Sequence, residues 1–234
     1  MDANSRIWAV VPAAGVGKRM RSNRPKQYLD FCGKTVIEHT LDRLLACDRV
    51  VGVIIALSPD DAYWSGLDYR SDKPLVRVEG GAERQDSVVN ALDELTRIEP
   101  GPSAALVHDA VRPLITREDL TALIDAFGKT DAGAILATPV VDTLKRGDES
   151  DRITATEDRT GLWRALTPQL FDTVLLLEAI RRADASGSRL TDDSAAIEAM
   201  GYRPLLVQGS PQNIKITRPE DMALAELIWR SQQA

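Results

Sequence analysis

Residues 7–20, IWAVVPAAGVGKRM, decide the fold of this chain. The first five of them are uninterrupted apolar residues that end at Pro12, which is the pattern of a buried parallel strand. The loop that follows begins with small residues and then becomes basic. From Gly15 to Lys26 it holds five positive residues and no acidic one, namely Lys18, Arg19, Arg21, Arg24 and Lys26. A buried strand that opens into a small, cationic loop predicts an anion-binding site at the end of that strand.

Apolar strands and amphipathic helices continue to alternate beyond this loop. The pattern predicts strands at 50–57, 75–79, 104–108 and 134–140, and helices at 36–46, 86–95 and 116–127. Thr35 and Glu38 form a capping box at the first of these helices. We therefore expect an α/β fold with a doubly wound, mostly parallel, Rossmann-like sheet, in a single domain over 1–234. Ligands bind such sheets at the carboxyl ends of strands, so the loops to inspect are 12–26, 80–87, 109–116 and 141–168.

The pattern changes after residue 141. Residues 142–160 are dense in charge, lack a long apolar stripe and have Gly147 near their middle, which predicts a protruding β-hairpin arm. Beyond the arm we expect strands at 162–166, 203–208 and 213–216, and helices at 171–185, 192–200 and 219–229. Thr217 and Glu220 are placed for a second capping box.

Composition excludes several classes of protein. A net charge of −6 argues against a general nucleic-acid coat, which needs a basic face. No apolar run approaches the ~20 residues of a membrane span, and residues 1–5 resemble neither a signal peptide nor a transit peptide. The two cysteines, Cys32 and Cys47, are spaced for neither a metal knuckle nor a disulfide framework. We expect a cytoplasmic protein with reduced thiols.

The first loop is not one of the common glycine-rich nucleotide loops. A Walker A loop needs Gly where this chain has Pro12, and Ser or Thr where it has Arg19. A dinucleotide fingerprint needs a third Gly where this chain has Met20. The small residues still allow a phosphate chain to approach the backbone N–H groups, and Lys18, Arg19 and Lys26 are placed to neutralise it.

Four other segments carry candidate binding residues. Asp109 and Arg112 follow the strand at 104–108; they are either a metal ligand with a phosphate ligand or a local ion pair. Gly81 and Ser87 either read a nucleobase or belong to a helix entry. Thr167 and Thr191 fit helix N-caps best when taken alone. Lys215 is a phosphate ligand only if it points into the site.

The histidines limit the chemistry. His39 lies within a predicted helix and His108 precedes Asp109, and no Ser/His/Asp or Cys/His arrangement is evident. Nucleotidyl transfer to a phosphate monoester suits such a site, because the acceptor has a second pKa of about 6 and needs no base at neutral pH. Positioning and charge neutralisation then suffice.

Assembled in order, these residues resemble the 2-C-methyl-D-erythritol 4-phosphate cytidylyltransferase family of the non-mevalonate isoprenoid pathway. The resemblance covers nearly the whole chain and rests on the following segments: VPAAGVGKRM (11–20), PKQY (25–28), GGAERQDSV (80–88), VHDAVRP (107–113), DT (142–143), DRTGLW (158–163), LTPQ (166–169), TD (191–192) and NIKIT (213–217). It implies that CTP and the methylerythritol phosphate give a diphosphocytidyl product and pyrophosphate, with Mg²⁺ as the cofactor.

The resemblance also implies roles for individual residues. Arg19, Lys26 and Lys215 would be catalytic, the first two stabilising the pentacovalent α-phosphate. CTP would be held by Ala13, Ala14, Gly15, Gly17, Lys18, Gly81, Ala82 and Ser87. Asp109, Arg112, Thr143, Arg159, Thr167 and Thr191 would bind the acceptor, and Asp109 also the metal. Thr143 and Arg159 lie on the arm, which in the family reaches into the neighbouring subunit of a homodimer. At two positions the chain departs from the family. Ala82 stands where relatives often have an acidic residue, so base selection there is left to backbone groups. Lys18 stands where relatives often have Arg.

Three rival interpretations stay open at this point. The same fold could act on another acceptor, such as ribitol 5-phosphate; Thr143 and Arg159 favour methylerythritol phosphate. An inert nucleotide-binding regulator is disfavoured by the joint presence of Arg19, Lys26, Asp109 and Lys215. An NAD-dependent oxidoreductase is disfavoured by Met20 and the basic loop.

Overall fold

A seven-stranded sheet forms the centre of the protein. The structure, a computed structural model, describes residues 5–15, 20, 24–188 and 190–233. The sheet strands are β1 (Arg6–Pro12), β4 (Val50–Leu57), β5 (Leu75–Glu79), β6 (Ser103–Val107), β7 (Ala134–Pro139), β10 (Trp163–Asp172) and β11 (Leu205–Gln208). Two short strands, β2 (Asp30–Phe31) and β3 (Lys34–Thr35), pair with each other outside it.

The sheet is mostly parallel and has the spatial order β11-β7-β10-β6-β1-β4-β5. β1 pairs in parallel with β4 on one side and with β6 on the other, and β4–β5 and β7–β11 are also parallel. β10 alone of these seven runs antiparallel to both of its neighbours. From β1 the chain adds β4 and β5 on one side and then returns to add β6 on the other side, so the strand order reverses between β1 and β6. A doubly wound sheet binds its ligand at the carboxyl ends of the two strands at such a reversal.

Six α-helices surround the sheet in the described part of the chain. They are α1 (Val36–Leu45), α2 (Arg84–Ile98), α3 (Arg117–Phe127), α4 (Thr173–Ala185), α5 (Asp193–Ala199) and α6 (Pro219–Gln233). The first five pack in its two layers, and the last packs on β2, α1 and the loop after β6. Alternate side chains of β1 show the two layers, since Ala9 and Val11 pack with α1 and α3, whereas Trp8 and Val10 pack with α2, α4 and α5. None of the described helices is long and apolar enough to cross a membrane.

Local capping chemistry sets the ends of several helices as predicted. The Thr35–Glu38 capping box is present, with the backbone N–H of Thr35 donating to Glu38 at 2.7 Å. Thr116 caps α3 by accepting from the N–H of Asp119 at 3.1 Å. α2 begins two residues earlier than expected, because a capping box of Glu83 and Asp86 starts it.

The predicted arm is a β-hairpin that projects from the sheet. β8 (Leu144–Gly147) pairs antiparallel with β9 (Ile153–Glu157), and nearly every residue of both strands is exposed. Val141 at its base and Ile153 are 72% and 68% exposed although apolar. The hairpin is thus an extension of the sheet and contributes little to the core.

Four sequence-based expectations were wrong. The strand expected at 162–166 is the longer β10, and α4 starts at Thr173 behind an Asp172 N-cap instead of at 171. Residues 213–216 form a loop: none of the strands that the structure describes pairs with them, and Ile216 packs in the cluster under α6. The Thr217–Glu220 capping box is absent, because it is the Asp221 carboxylate that accepts from the N–H groups of Thr217 and Arg218, each at 2.8 Å.

Candidate active site

Two adjoining pockets lie at the carboxyl ends of β1 and β6. The first brings together seven of the predicted residues: Ala13, Ala14, Gly15, Lys26, Gly81, Ala82 and Ser87. The second is lined by three others: Arg112, Thr167 and Thr191. Arg84, Asp109 and Lys215 line both pockets and therefore mark their junction. Gly17, Lys18 and Arg19 lie outside the described residues.

The start of the first loop is fixed by hydrogen bonds to the body of the protein. The N–H of Ala13 donates to Ala56 at 2.8 Å, and the buried Gln27 amide donates to the Ala13 carbonyl at 2.8 Å. Lys26 Nζ donates to the Ile216 carbonyl at 3.1 Å, which holds the ammonium at the edge of the first pocket. Arg24, another cation of this loop, lies over the Tyr63 ring and donates to the Tyr28 carbonyl.

The loop between β5 and α2 forms the opposite wall of the first pocket. Ser87 Oγ accepts from the Gly81 N–H at 3.1 Å and donates to the Glu83 carbonyl at 3.3 Å. Ser87 therefore closes this loop, and the N–H of Gly81 already has a partner. Gly80 lies so close to Ala14 that a Cβ on Gly80 would overlap the Ala14 methyl, so the two loops are in direct contact.

Asp109 is the centre of the junction. Its Oδ2 accepts from Lys215 Nζ at 3.0 Å and Arg112 Nε at 3.3 Å, and its Oδ1 accepts from Arg84 Nε at 3.2 Å. Burial alone would raise the pKa of Asp109, but the charges of Arg84, Lys215 and Arg112 outweigh burial and hold that pKa well below its usual value. The ion pair with Arg112 is present, as one of three.

The donor set at Asp109 does not fit a metal ion. Both carboxylate oxygens are already taken by positive side chains, and a cation would have to displace these or lie beside them. Among the residues that the structure describes, no group of three or more His, Cys, Asp or Glu side chains could hold a metal. Magnesium prefers oxygen ligands, and this junction offers it no available carboxylate.

Arg84 and Asp193 belong to the junction, although the sequence assigned them no role. The Arg84 guanidinium donates from Nη1 and Nη2 to the two oxygens of Asp193, at 3.0 and 2.8 Å. Asp193 is the first residue of α5 and is only 3% exposed. The helix expected from the sequence began at residue 86, so Arg84 was not expected in its first turn, where a positive charge opposes the helix dipole and calls for a specific partner.

His108 lies directly beneath Asp109 and holds Thr167 in place. Its Nε2 lies 3.0 Å from the Arg112 carbonyl and must donate to it, so Nδ1 accepts from the Thr167 hydroxyl at 3.0 Å. Thr167 in turn accepts from the Asp109 N–H at 3.1 Å. Burial lowers the pKa of His108 to about 4, so the ring is neutral at pH 7. His108 is fully buried and therefore cannot serve as a base toward a bound ligand.

The N-cap interpretation of Thr167 and Thr191 was wrong. Thr167 lies inside β10, and α5 is capped by Asp192, which accepts from the N–H of Ala195 at 3.1 Å. Thr191 precedes that cap and borders the second pocket. Gln169 joins the two segments by donating to Asp192 at 2.8 Å and accepting from the N–H of Ser194 at 2.9 Å.

The two predicted arm residues are not brought to either pocket of their own chain. Thr143 and Arg159 are exposed at the base of the arm, and Arg159 donates to the Val141 carbonyl. The second pocket also adjoins a cation that sequence reasoning missed. Arg164 on β10 donates to Thr138 at 3.3 Å, and its charge lowers the pKa of Arg112 further than burial does alone.

Comparison with known proteins identifies the family. The profile of the 2-C-methyl-D-erythritol 4-phosphate cytidylyltransferase family matches residues 7–231. The enzyme of that name from Vibrio vulnificus (strain CMCP6) is 49% identical over 218 residues, covering 93% of this chain and 92% of its own. A crystal structure of a 4-diphosphocytidyl-2C-methyl-D-erythritol synthase superposes with a TM-score of 0.84 at 35% identity, over 96% of this chain and 99% of its own. The Thermus thermophilus enzyme gives 0.78 at 32% identity, over 95% and 98%. The chain belongs to the 2-C-methyl-D-erythritol 4-phosphate cytidylyltransferase family.

Proposed function

We propose that the two pockets bind the two substrates of a cytidylyl transfer and that Asp109, Lys215 and Arg84 mark the point where the substrates meet. The chain is a cytidylyltransferase of 2-C-methyl-D-erythritol 4-phosphate. In our proposal CTP occupies the pocket of the first loop, and the acceptor phosphate occupies the pocket beside Arg112, Thr167 and Thr191. The main observation in support of this assignment of substrates to pockets is that the two pockets share one positively charged junction.

The reaction needs charge neutralisation more than proton transfer. An acceptor phosphate oxygen attacks the α-phosphorus of CTP, a new P–O bond forms, and the bond to the bridging oxygen breaks to release pyrophosphate. The acceptor is largely a dianion at neutral pH, because its second pKa is about 6. Lys26 at the edge of the first pocket and Lys215 at the junction are placed to stabilise the growing negative charge around phosphorus. Arg19, from the same loop as Lys26, is assigned the same role from the sequence.

Cytosine selection rests on the loop at residues 80–87. Because the Gly81 N–H is already bonded to Ser87, we assign the reading of the base to the remaining backbone groups of Gly81 and Ala82. The small side chain of Ala82 leaves those groups accessible. Ser87 then acts by holding the loop in shape.

The acceptor pocket is completed by a second copy of this chain. A two-stranded hairpin is at best marginally stable alone, and this arm carries exposed apolar residues, so it needs a surface to pack on. In a homodimer built through the arm, Thr143 and Arg159 would enter the partner's second pocket. We further propose a cytoplasmic enzyme, in keeping with the unpaired Cys32 and Cys47. A requirement for Mg²⁺ stays a prediction, tested by loss of turnover in EDTA and its return with added Mg²⁺.

Pyrophosphate release tests the reaction. The purified protein is supplied with CTP, Mg²⁺ and either methylerythritol 4-phosphate or ribitol 5-phosphate. We expect turnover with the first acceptor only. Turnover with ribitol 5-phosphate alone would retain the mechanism and discard our acceptor pocket. No release with either acceptor would leave a protein that binds the nucleotide without reaction.

Complementation between subunits tests the shared site. Lys26→Ala and Arg159→Ala proteins, each weakly active, are co-expressed so that mixed dimers form. If the arm serves the partner, one of the two sites in each mixed dimer is intact, and the mixture recovers about a quarter of wild-type activity. An arm that serves its own chain would give no recovery.

A further inference from the structure

Arg84 makes a set of contacts that a simple surface cation does not make. Its guanidinium fork faces both oxygens of Asp193, at 3.0 and 2.8 Å, while its Nε donates to Asp109 at 3.2 Å. Two carboxylates on elements far apart in sequence thus share one planar group. Asp109 follows β6, and Asp193 begins α5, whereas Arg84 begins α2. The Arg84–Asp193 ion pair therefore connects the pocket proposed for the nucleotide with the pocket proposed for the acceptor.

The positions of Arg84 and Asp193 are energetically unfavourable for charged side chains. A positive charge in the first turn of α2 opposes the helix dipole, and a carboxylate that is 3% exposed, as Asp193 is, loses most of its hydration. A buried ion pair is often no more stabilising than apolar residues of similar size. Stability alone therefore does not account for an Arg at this position.

The charges of the junction show what the pair accomplishes. Arg84, Arg112 and Lys215 carry three positive charges, and Asp109 and Asp193 carry two negative ones, so the cluster has a net charge of +1. Without Asp193, Arg84 would have only one described carboxylate partner, and its two terminal NH2 groups could turn toward the pockets. With Asp193 present, Arg84 holds Oδ1 of Asp109 in place, and Oδ2 of Asp109 therefore stays in position to accept from Lys215.

We propose that Arg84, oriented by Asp193, is a positioning residue that fixes Asp109 and through it the Lys215 ammonium at the junction of the two pockets. The proposal rests on the cytidylyl transfer proposed above and assigns a further pair of residues to it. Arg84 acts through Asp109, and Asp193 acts through Arg84. Loss of Asp193, which lines neither pocket, should misplace Lys215 without removing any group that binds the nucleotide.

The principal test is Asp193→Asn, which keeps the shape of the side chain and removes its charge. We expect kcat to fall about 10- to 100-fold, which is the effect of a misplacement of about 1 Å at a reacting centre. The KM for CTP should change less than twofold, since the first pocket keeps its loops. The matched control is Asp93→Asn, because Asp93 lies on α2 as Arg84 does and pairs with Arg181 at 2.6 Å on the surface; its kcat should equal that of the wild type.

Two further variants separate positioning from charge. Arg84→Lys retains the charge but lacks the fork, so it should be as impaired as Arg84→Gln. In the double variant Arg84→Gln/Asp193→Asn, the second change should add less than twofold, because Asp193 acts only through Arg84. Arg84→Lys carries the test alone if Asp193→Asn does not fold, as judged by circular dichroism.

Each outcome decides between the proposals. A folded Asp193→Asn protein with wild-type kcat, or an Arg84→Lys protein with wild-type kcat, would overturn the positioning role. Multiplying effects in the double variant would also overturn it. Failure of the wild-type protein itself to release pyrophosphate would instead remove the proposed transfer, so the two failures are distinguishable.

Discussion

His108 should make the stability of this enzyme depend on pH in a window set by its own burial. The ring is buried, and its pKa is lowered from 6.5 to about 4 in the folded protein. The unfolded chain exposes the ring to water, where the pKa returns to its ordinary value. Between these two values the unfolded state binds a proton that the folded state does not bind. Stability therefore rises with pH across the window and falls as the pH drops below about 6.5.

The size of this effect follows from the width of the window. A difference of one pKa unit corresponds to about 1.4 kcal/mol, so the 2.5 units between 6.5 and 4 correspond to about 3 kcal/mol in the free energy of unfolding. Asp109 contributes little to this window, because its lowered pKa gives stability that is lost mainly as the pH falls through and below its ordinary value of 3.8. His39 also has a lowered pKa, through burial, and adds a slope of the same sign.

Comparison with His108→Gln isolates the contribution of this ring. Gln keeps a donor for the Arg112 carbonyl but does not titrate, and His39 remains in both proteins and cancels. Urea unfolding at constant ionic strength, followed by tryptophan fluorescence from pH 4 to 7.5, gives the two curves. We expect the wild type to lose about 3 kcal/mol more than His108→Gln over this range. Parallel curves, or an NMR titration of His108 near pH 6.5, would refute the reasoning.

Four other changes have definite expected results. Lys26→Met should lower kcat by about 100-fold or more in pyrophosphate release, since one charge-stabilising donor is lost, while circular dichroism stays unchanged. Gly80→Ala should raise the KM for CTP, because its Cβ would overlap the Ala14 methyl and push the two nucleotide loops apart; an unchanged KM would show that the loops do not need this contact. Gly133→Ala should destabilise the fold by about 1–3 kcal/mol in urea unfolding, because Gly133 has φ +89° and its Cβ would overlap the Phe171 ring, whereas Gly101→Ala, with open space around it, should have little effect. Thr35→Ala should cost about 1 kcal/mol by removing the cap of α1, and a loss below a few tenths would contradict the capping box.

Much of the fold was predictable because its central strands are buried on both faces. β4 has the predicted bounds and β1 differs by one residue at each end, since long, mostly apolar runs leave few alternatives. β5 also has the predicted bounds, although it is an edge strand and only partly buried. β10 was underestimated because Pro168 suggests the end of a strand. The structure accommodates Pro168 where β10 leaves its register with β7, between Ala165 and Gln169, so no ladder hydrogen bond is lost there.

The candidate site was predictable as a set of loops and less so as a set of contacts. Residues of the segments at 12–26, 80–87 and 109–116 do meet at the carboxyl ends of β1 and β6. The sequence could not pair Arg84 with Asp193, because the two are 109 residues apart and their contact depends on how α5 packs. Nor could it show that Ser87 bonds to Gly81, since the same residues fit a base-reading loop and a closed turn equally well.

In the site proposed above, the position of Asp109 explains how an acidic protein would bind two anionic substrates at one point. A carboxylate at the junction would by itself repel phosphate, and a metal ion is the usual remedy. Here three cations surround it, so the junction as a whole is positive although the chain carries a net charge of −6. Lys215 would otherwise be free to follow any phosphate that approaches, and a mobile ammonium loses conformational entropy when it binds. The Asp109 carboxylate holds Lys215 Nζ at 3.0 Å from its Oδ2 before the substrates bind. The conformational entropy of Lys215 is therefore lost when the protein folds and not during the reaction.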